Sequence, residues 1–178
     1  MSALPTPTLE ERQANATFDA LIWSLSRPGL SRSLPDEGET PIVDALIDRE
    51  CNVFSADALL MPAILRTGAH IAELAEADHV FLGHMESSDP LQVIKQGSDL
   101  YPDDGATVIV RAKFGGGDRL RFSGPGVDGV EELSVSGLPH GFWQIRAQIM
   151  RYPMGFDLFL LDGSDIVGVP RSTIVEVL

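Results

Sequence analysis

Two stretches of this chain are apolar on both faces of a strand. Residues 107–112, Thr-Val-Ile-Val-Arg-Ala, are largely β-branched and apolar, and in 156–161 Phe156, Leu158 and Leu160 alternate with Asp157, Phe159 and Leu161. Successive side chains of a strand point to opposite faces, so such runs belong in a sheet covered on both sides. Asp162-Gly163-Ser164 is turn chemistry. Ile166, Val167 and Val169 rebuild a strand, and Pro170 stops it because proline offers no N–H to a ladder. Arg171, Ser172 and Thr173 then place a cation and two hydroxyls on a rigid bend.

The rest of the chain supplies the covering layers. Thr8 and Glu11 have the spacing of a capping box. Phe18, Leu21, Ile22 and Leu25 follow at helical spacing, and Pro28-Gly29 ends that helix. Thr40 as cap and Pro41 at the first position predict a second helix through about Asp48. Cys51–Phe54 reads as a short buried strand. Asp57 caps a helix containing Leu59, Leu60, Ile64 and Leu65, and 69–76 reads as a short helix. Val80–Leu82 is a strand, and Asp89-Pro90 opens a helix that ends at Gly97. Gly115-Gly116-Gly117 reads as a hairpin turn into a strand at Arg119–Ser123, followed by a strand at Glu132–Val135. Leu138-Pro139 leads a helix with Phe142, Trp143, Ile145 and Ile149. Helices and strands alternate early and strands cluster late. The expectation is one α/β domain over 9–178 behind a loose tail at 1–8, with a mixed sheet between helical layers.

Composition removes several classes of function. The net charge is −13, and Lys95 and Lys113 are the only lysines. Binding to nucleic acid or to anionic membranes draws on an excess of cations, and 13 Lys and Arg against 26 Asp and Glu argue against both. The single cysteine, Cys51, allows neither a disulfide framework nor a cysteine-rich metal site, and it reads as a buried thiol. The N-terminal residues carry no signal-peptide pattern, and no run is long and apolar enough to span a bilayer, so the expected location is cytoplasmic.

Catalytic patterns are equally sparse. His79 and His84 lie an odd number of residues apart around a strand, which puts them on opposite faces and disfavours a shared metal. The triple glycine precedes a strand, not the helix N-terminus that a pyrophosphate loop requires. Gly124-Pro125-Gly126 reads first as a turn, although Gly124 and Gly126 offer backbone N–H groups for an anion nest. There is no Gly-x-Ser-x-Gly elbow, Walker loop or His-Glu-x-x-His helix. Asp157 needs a partner if it is buried, and Arg171 is the natural one. Arg171, Ser172 and Thr173 read as an ion-paired closure, as part of a subunit interface, or as contacts to a phosphate or phosphonate. Met154, Phe156 and Phe159 read as core residues or as a contact surface.

Four blocks in order resemble one family. They are Phe18 to Gly29 with its Ser-x-Pro-Gly stop, Tyr101-Pro-Asp-Asp-Gly-Ala-Thr107, Leu120-Arg-Phe-Ser-Gly-Pro-Gly-Val127, and Tyr152-Pro-x-Gly-x-Asp-Leu158 with Val169-Pro-Arg-Ser-Thr173. Together they resemble the PhnH family, the H subunit of the carbon–phosphorus lyase core complex of phosphonate metabolism. The resemblance implies a three-layer α/β/α sandwich similar to the large domain of pyridoxal-phosphate-dependent transferases, without the cofactor. It also implies an accessory subunit that self-associates as a homodimer and joins the G, I and J subunits. The step it implies is the formation of ribose 1-phosphonate 5-triphosphate from ATP and an alkylphosphonate. The alternatives are a stand-alone phosphonate or nucleotide binder built on Arg171, Ser172 and Thr173, and a degenerate transferase of the pyridoxal phosphate type.

Overall fold

The computed structural model describes residues 6–178; residues 1–5 of the expected tail lie outside the described residues. Helix α1 (Leu9–Ser26) opens on the expected capping box: the Glu11 N–H donates to the Thr8 hydroxyl, and the Thr8 N–H donates to the Glu11 carboxylate. Strand β1 (Ser31–Ser33) and helix α2 (Thr40–Leu46) follow. Glu39, not Thr40, occupies the cap position of α2, no side chain caps it, and the helix stops two residues before Asp48. Strand β2 (Asn52–Ser55) leads to a 3-10 turn at Ala58–Leu60, where the Asp57 carboxylate accepts from the Leu59 N–H. Helix α3 (Met61–Thr67) ends at Gly68, in the left-handed conformation.

The helix expected over 69–76 is instead strand β3 (His70–Ile71) followed by turns. Its backbone is drawn to β2: the His70 N–H donates to the Cys51 carbonyl and the Ala72 N–H to that of Val53. Strand β4 (His79–Gly83) follows. The helix expected from Asp89 to Gly97 shrinks to a 3-10 turn at Asp89–Gln92, because Gln96 leaves to bridge Gly105.

Strand β5 (Thr107–Arg111) runs almost directly into β6 (Lys113–Ser123), which pairs with β7 (Glu131–Ser136). The triple glycine is therefore not a hairpin turn. Phe114 and Asp118 both face Val135, so the three glycines bulge out of one continuous strand, with Gly115 and Gly117 at positive φ. Helix α4 (Phe142–Ile149), β8 (Asp157–Asp162), β9 (Asp165–Val169) and β10 (Ile174–Val177) complete the chain.

The main sheet has seven strands in the order β1-β9-β8-β5-β4-β2-β3. Strands β3, β2, β4, β5 and β8 are parallel, β9 runs antiparallel to β8, and β1 pairs antiparallel with β9 and so runs in the direction of the parallel set; the expected mixed sheet is present, with β5 at its centre. Its two faces carry two cores. Phe81, Ile109, Phe159 and Ile166 point to the layer of α1, α2 and α3. Val80, Val108, Val110, Leu158, Leu160 and Val167 point to the other. That second layer is only partly helical: beside α4 it holds a three-stranded sheet, β10-β6-β7, whose Leu120, Phe122 and Val135 join the core.

Of the two readings of the Met154, Phe156 and Phe159 group the core reading holds for the aromatics, whereas the apolar face expected of α1 is only partly buried. Phe156 and Phe159 are buried, which removes them as a contact surface, and Met154 is half-buried. In α1, Leu21 is buried whereas Phe18 and Ile22 are 46% and 49% exposed. The inner face is Thr17, Ala20, Leu21 and Ser24, small enough for the helix backbone to lie on Gly168 of β9, where an added Cβ would sit 2.6 Å from the Ser24 carbonyl. Cys51 is half-buried just before β2, and burial pushes its thiol pKa up.

Candidate functional site

Asp157 is the first residue of β8, and Arg171 follows the proline that ends β9. Antiparallel pairing of these strands brings the two together at the N-terminal edge of the parallel strands. Arg171 donates from Nη2 to Asp157 Oδ2 at 2.7 Å, and from Nε and its backbone N–H to Oδ1 at 3.3 and 2.9 Å. Its remaining donors reach the carbonyls of Pro102 and Gly105. Gly105 has to be glycine here, since a Cβ would lie 2.0 Å from the Gly155 carbonyl oxygen and 2.7 Å from Arg171 Nη1. One guanidinium thus ties the loop before β5 to the start of β8 and the end of β9.

Ser172 is half-buried, and Thr173 is 3% exposed with its hydroxyl unpartnered. Gly124 and Gly126, at φ 124° and 84°, form a turn closed by the Val127 N–H donating to the Gly124 carbonyl. The turn packs on the end of α1, where a Cβ on Gly126 would stand 2.5 Å from the Ser26 carbonyl oxygen. Pro125, between the two glycines, lines a cavity of about 460 Å³ that Arg171, Ser172 and Thr173 also line.

The same cavity holds a residue that sequence reasoning passed over. Arg146, on α4, is 2% exposed. Its Nη1 donates to the Thr173 carbonyl at 3.2 Å, its Nη2 donates to the Pro170 carbonyl at 2.9 Å and more weakly to that of Val169, and its Nε has no partner. Burial without a carboxylate in contact lowers its pKa to about 10; Asp157, the one carboxylate acting on it, is held by Arg171. A signal was present: Arg146 falls four residues after Phe142 and three before Ile149, on the apolar stripe of the helix.

A second cluster lies at the opposite edge, where open α/β sheets bind ligands beside the point at which strand order reverses. The chain leaves β2 toward β3 on one side and returns to β4 on the other. Asp57 follows β2, His84 follows β4 and Arg111 ends β5. Arg111 Nη2 donates to Asp57 Oδ2 at 2.8 Å and to Glu39 Oε2. Glu39 is 2% exposed and its Oε1 is unpartnered. Burial raises its pKa, against the pull of Arg111. The Leu59 N–H and Arg111 hold the Asp57 pKa down. A cavity of about 250 Å³ opens here, lined by His84, Arg111 and Lys113. These residues are too far apart in sequence to form a motif.

Both lysines are also engaged. Lys95 Nζ lies 2.8 Å from Asp78 Oδ1, and Lys113 Nζ lies 2.6 Å from Asp162 Oδ1. Burial lowers the His79 pKa and leaves its Nδ1 unpartnered. No group of three or more His, Cys, Asp or Glu side chains suited to a metal occurs among the described residues.

Fold and edges together define a layered α/β protein in which ion pairs between distant segments lock both ends of the parallel strands. The chain belongs to the family of bacterial phosphonate metabolism proteins, PhnH, whose model matches residues 8–176. It is similar to the protein named "Putative C-P lyase subunit protein HtxG" of Stutzerimonas stutzeri, with 32% identity over 173 residues covering 91% of this chain and 85% of that protein.

Proposed function

We propose that this chain is the H-type, non-catalytic subunit of a carbon–phosphorus lyase core complex. It acts in the step that forms ribose 1-phosphonate 5-triphosphate from ATP and an alkylphosphonate. Its partners are the G, I and J subunits, it self-associates as a homodimer when isolated, and it works in the cytoplasm. The observation that carries the accessory role is the engagement of charged side chains with one another at both sheet edges. Arg171 is taken up by Asp157, Arg111 by Glu39 and Asp57, and Lys113 by Asp162. Each of these cations is already neutralised by a carboxylate and is not presented to a substrate as a free cation.

The layered α/β order agrees with a fold of the pyridoxal-phosphate transferase type. We leave that cofactor out of the proposed role because both lysines are engaged by carboxylates. An aldimine needs a neutral lysine amine at some stage, and Asp78 raises the Lys95 pKa while Lys113 lies against Asp162.

Co-expression with the cognate G, I and J subunits, followed by affinity capture and native mass spectrometry, tests the reading. A stoichiometric assembly is expected. A well-folded chain that recovers none of the three would overturn it.

A further inference from the structure

Among the described residues Arg146 is the only buried base. Three carbonyls satisfy part of its hydrogen-bonding capacity, but carbonyl dipoles do not neutralise a charge. Its surroundings hold two guanidinium groups, Arg146 and Arg171, against one carboxylate, Asp157, which Arg171 occupies through both oxygens. This corner therefore carries a net positive charge inside a chain whose total is −13. The excess adjoins the cavity of about 460 Å³. Arg146 and Thr173 each contribute a shielded polar atom without a partner, Nε and Oγ1. The rest of the lining is mainly apolar and includes Met150, Tyr152 and Val175.

We propose that this cavity binds a single oxyanion head group, phosphate, phosphonate or carboxylate, on a short apolar stem. Arg146 supplies the charge, the Ser172–Thr173 segment supplies hydroxyl groups, and Met150 and Val175 receive the stem. Arg171 keeps its clamp on Asp157 and does not contact the ligand as a free cation. A charge at the edge of a low-dielectric cavity attracts an anion far more strongly than the same charge in water. The inference is independent of membership in a complex, so a failed titration leaves the subunit reading intact, and a failed assembly leaves this one intact.

The test is titration of the full chain by NMR and calorimetry at low ionic strength. The probes are inorganic phosphate, propylphosphonate and butyrate, with 1-butanol as the neutral counterpart. Arg146→Met strips donors from three carbonyls and risks the fold. The main variant is therefore Ala147→Trp, which fills the cavity from an exposed position on α4. At least one acid is expected to saturate, to shift the resonances of 146–147 and 172–175, and to bind at least roughly tenfold more weakly to Ala147→Trp, a readily resolved difference in affinity. The tightest acid then identifies the head group. The proposal is overturned if no acid saturates, if 1-butanol binds as well as the acids, or if Ala147→Trp keeps wild-type affinity.

Discussion

Arg171→Ala removes the clamp while leaving the backbone bond from residue 171 to Asp157 in place. Two kinds of interaction go: the guanidinium contacts to both Asp157 oxygens, and the bonds to the Pro102 and Gly105 carbonyls. Hydrogen bonds to charged groups contribute about 1.5–3 kcal/mol each, and breaking a fully buried pair costs about 3–5 kcal/mol. Side-chain exposures of 14% for Arg171 and 24% for Asp157 let water replace part of that. The expected loss is about 2–4 kcal/mol. For a chain of this size each kcal/mol moves Tm by about 2–4 °C, so the midpoint should fall by roughly 4–16 °C. Urea unfolding followed by circular dichroism measures the free energy, and scanning calorimetry measures Tm. The double-mutant cycle with Asp157→Asn should return a coupling of at least ~1 kcal/mol. If Arg171→Ala stays within about 0.5 kcal/mol of wild type, in the range of an ordinary surface substitution, the clamp does not hold this edge together.

Other expectations follow from neighbouring features. Gly168→Ala forces a methyl group onto the Ser24 backbone, where neither partner can yield, and should cost about 2–3 kcal/mol in urea unfolding. The two sides of α1 should respond unequally: Leu21→Ala, at a buried position, should cost about 2–5 kcal/mol and Ile22→Ala, half-exposed, no more than about 1 kcal/mol. Acid should destabilise the fold through its paired aspartates. Lys113 and the Phe114 N–H hold the Asp162 pKa below 3.8, and bonds from Lys95 and Asn52 outweigh burial to do the same for Asp78. The folded state then binds fewer protons than the unfolded one. The stabilisation is complete above pH 3.8 and is lost as pH falls through the depressed folded values. Urea midpoints taken from pH 7 down to pH 3 should show that loss, with a shallower slope in Asp162→Asn.

What the sequence disclosed divides along physical lines. Local chemistry was readable: the Thr8–Glu11 box, the strands apolar on both faces, and the final hairpin that sets Asp157 beside Arg171. What escaped depended on competition from distant partners. Residues 70–71 have a weak helical preference, which pairing with β2 overrides. Asp89–Gln92 stays a single 3-10 turn because the following residues are recruited to Gly105. The triple glycine looked like a turn because a bulge and a turn use the same residue. Phe18 and Ile22 have the spacing of a core face, but the close approach of α1 to Gly168 selects Thr17, Ala20 and Ser24 for the inside. The Glu39–Asp57–Arg111 cluster draws on three segments that only the crossovers of the sheet bring together.

Strand β1 pairs only with β9 in the main sheet, α1 lies on β9 as well, and β10 supplies one flank of the second sheet. On a ribosome, the segment through Ser33 therefore emerges long before its β9 docking partner is made. Until about residue 169 is free, α1 and β1 have no β9 to settle on, and β6 lacks its β10 neighbour until about residue 177. Such distant pairings make folding slow and leave apolar surface open in the meantime. Synthesis stalled before β9 should yield a protease-sensitive, chaperone-binding fragment and not a smaller folded unit.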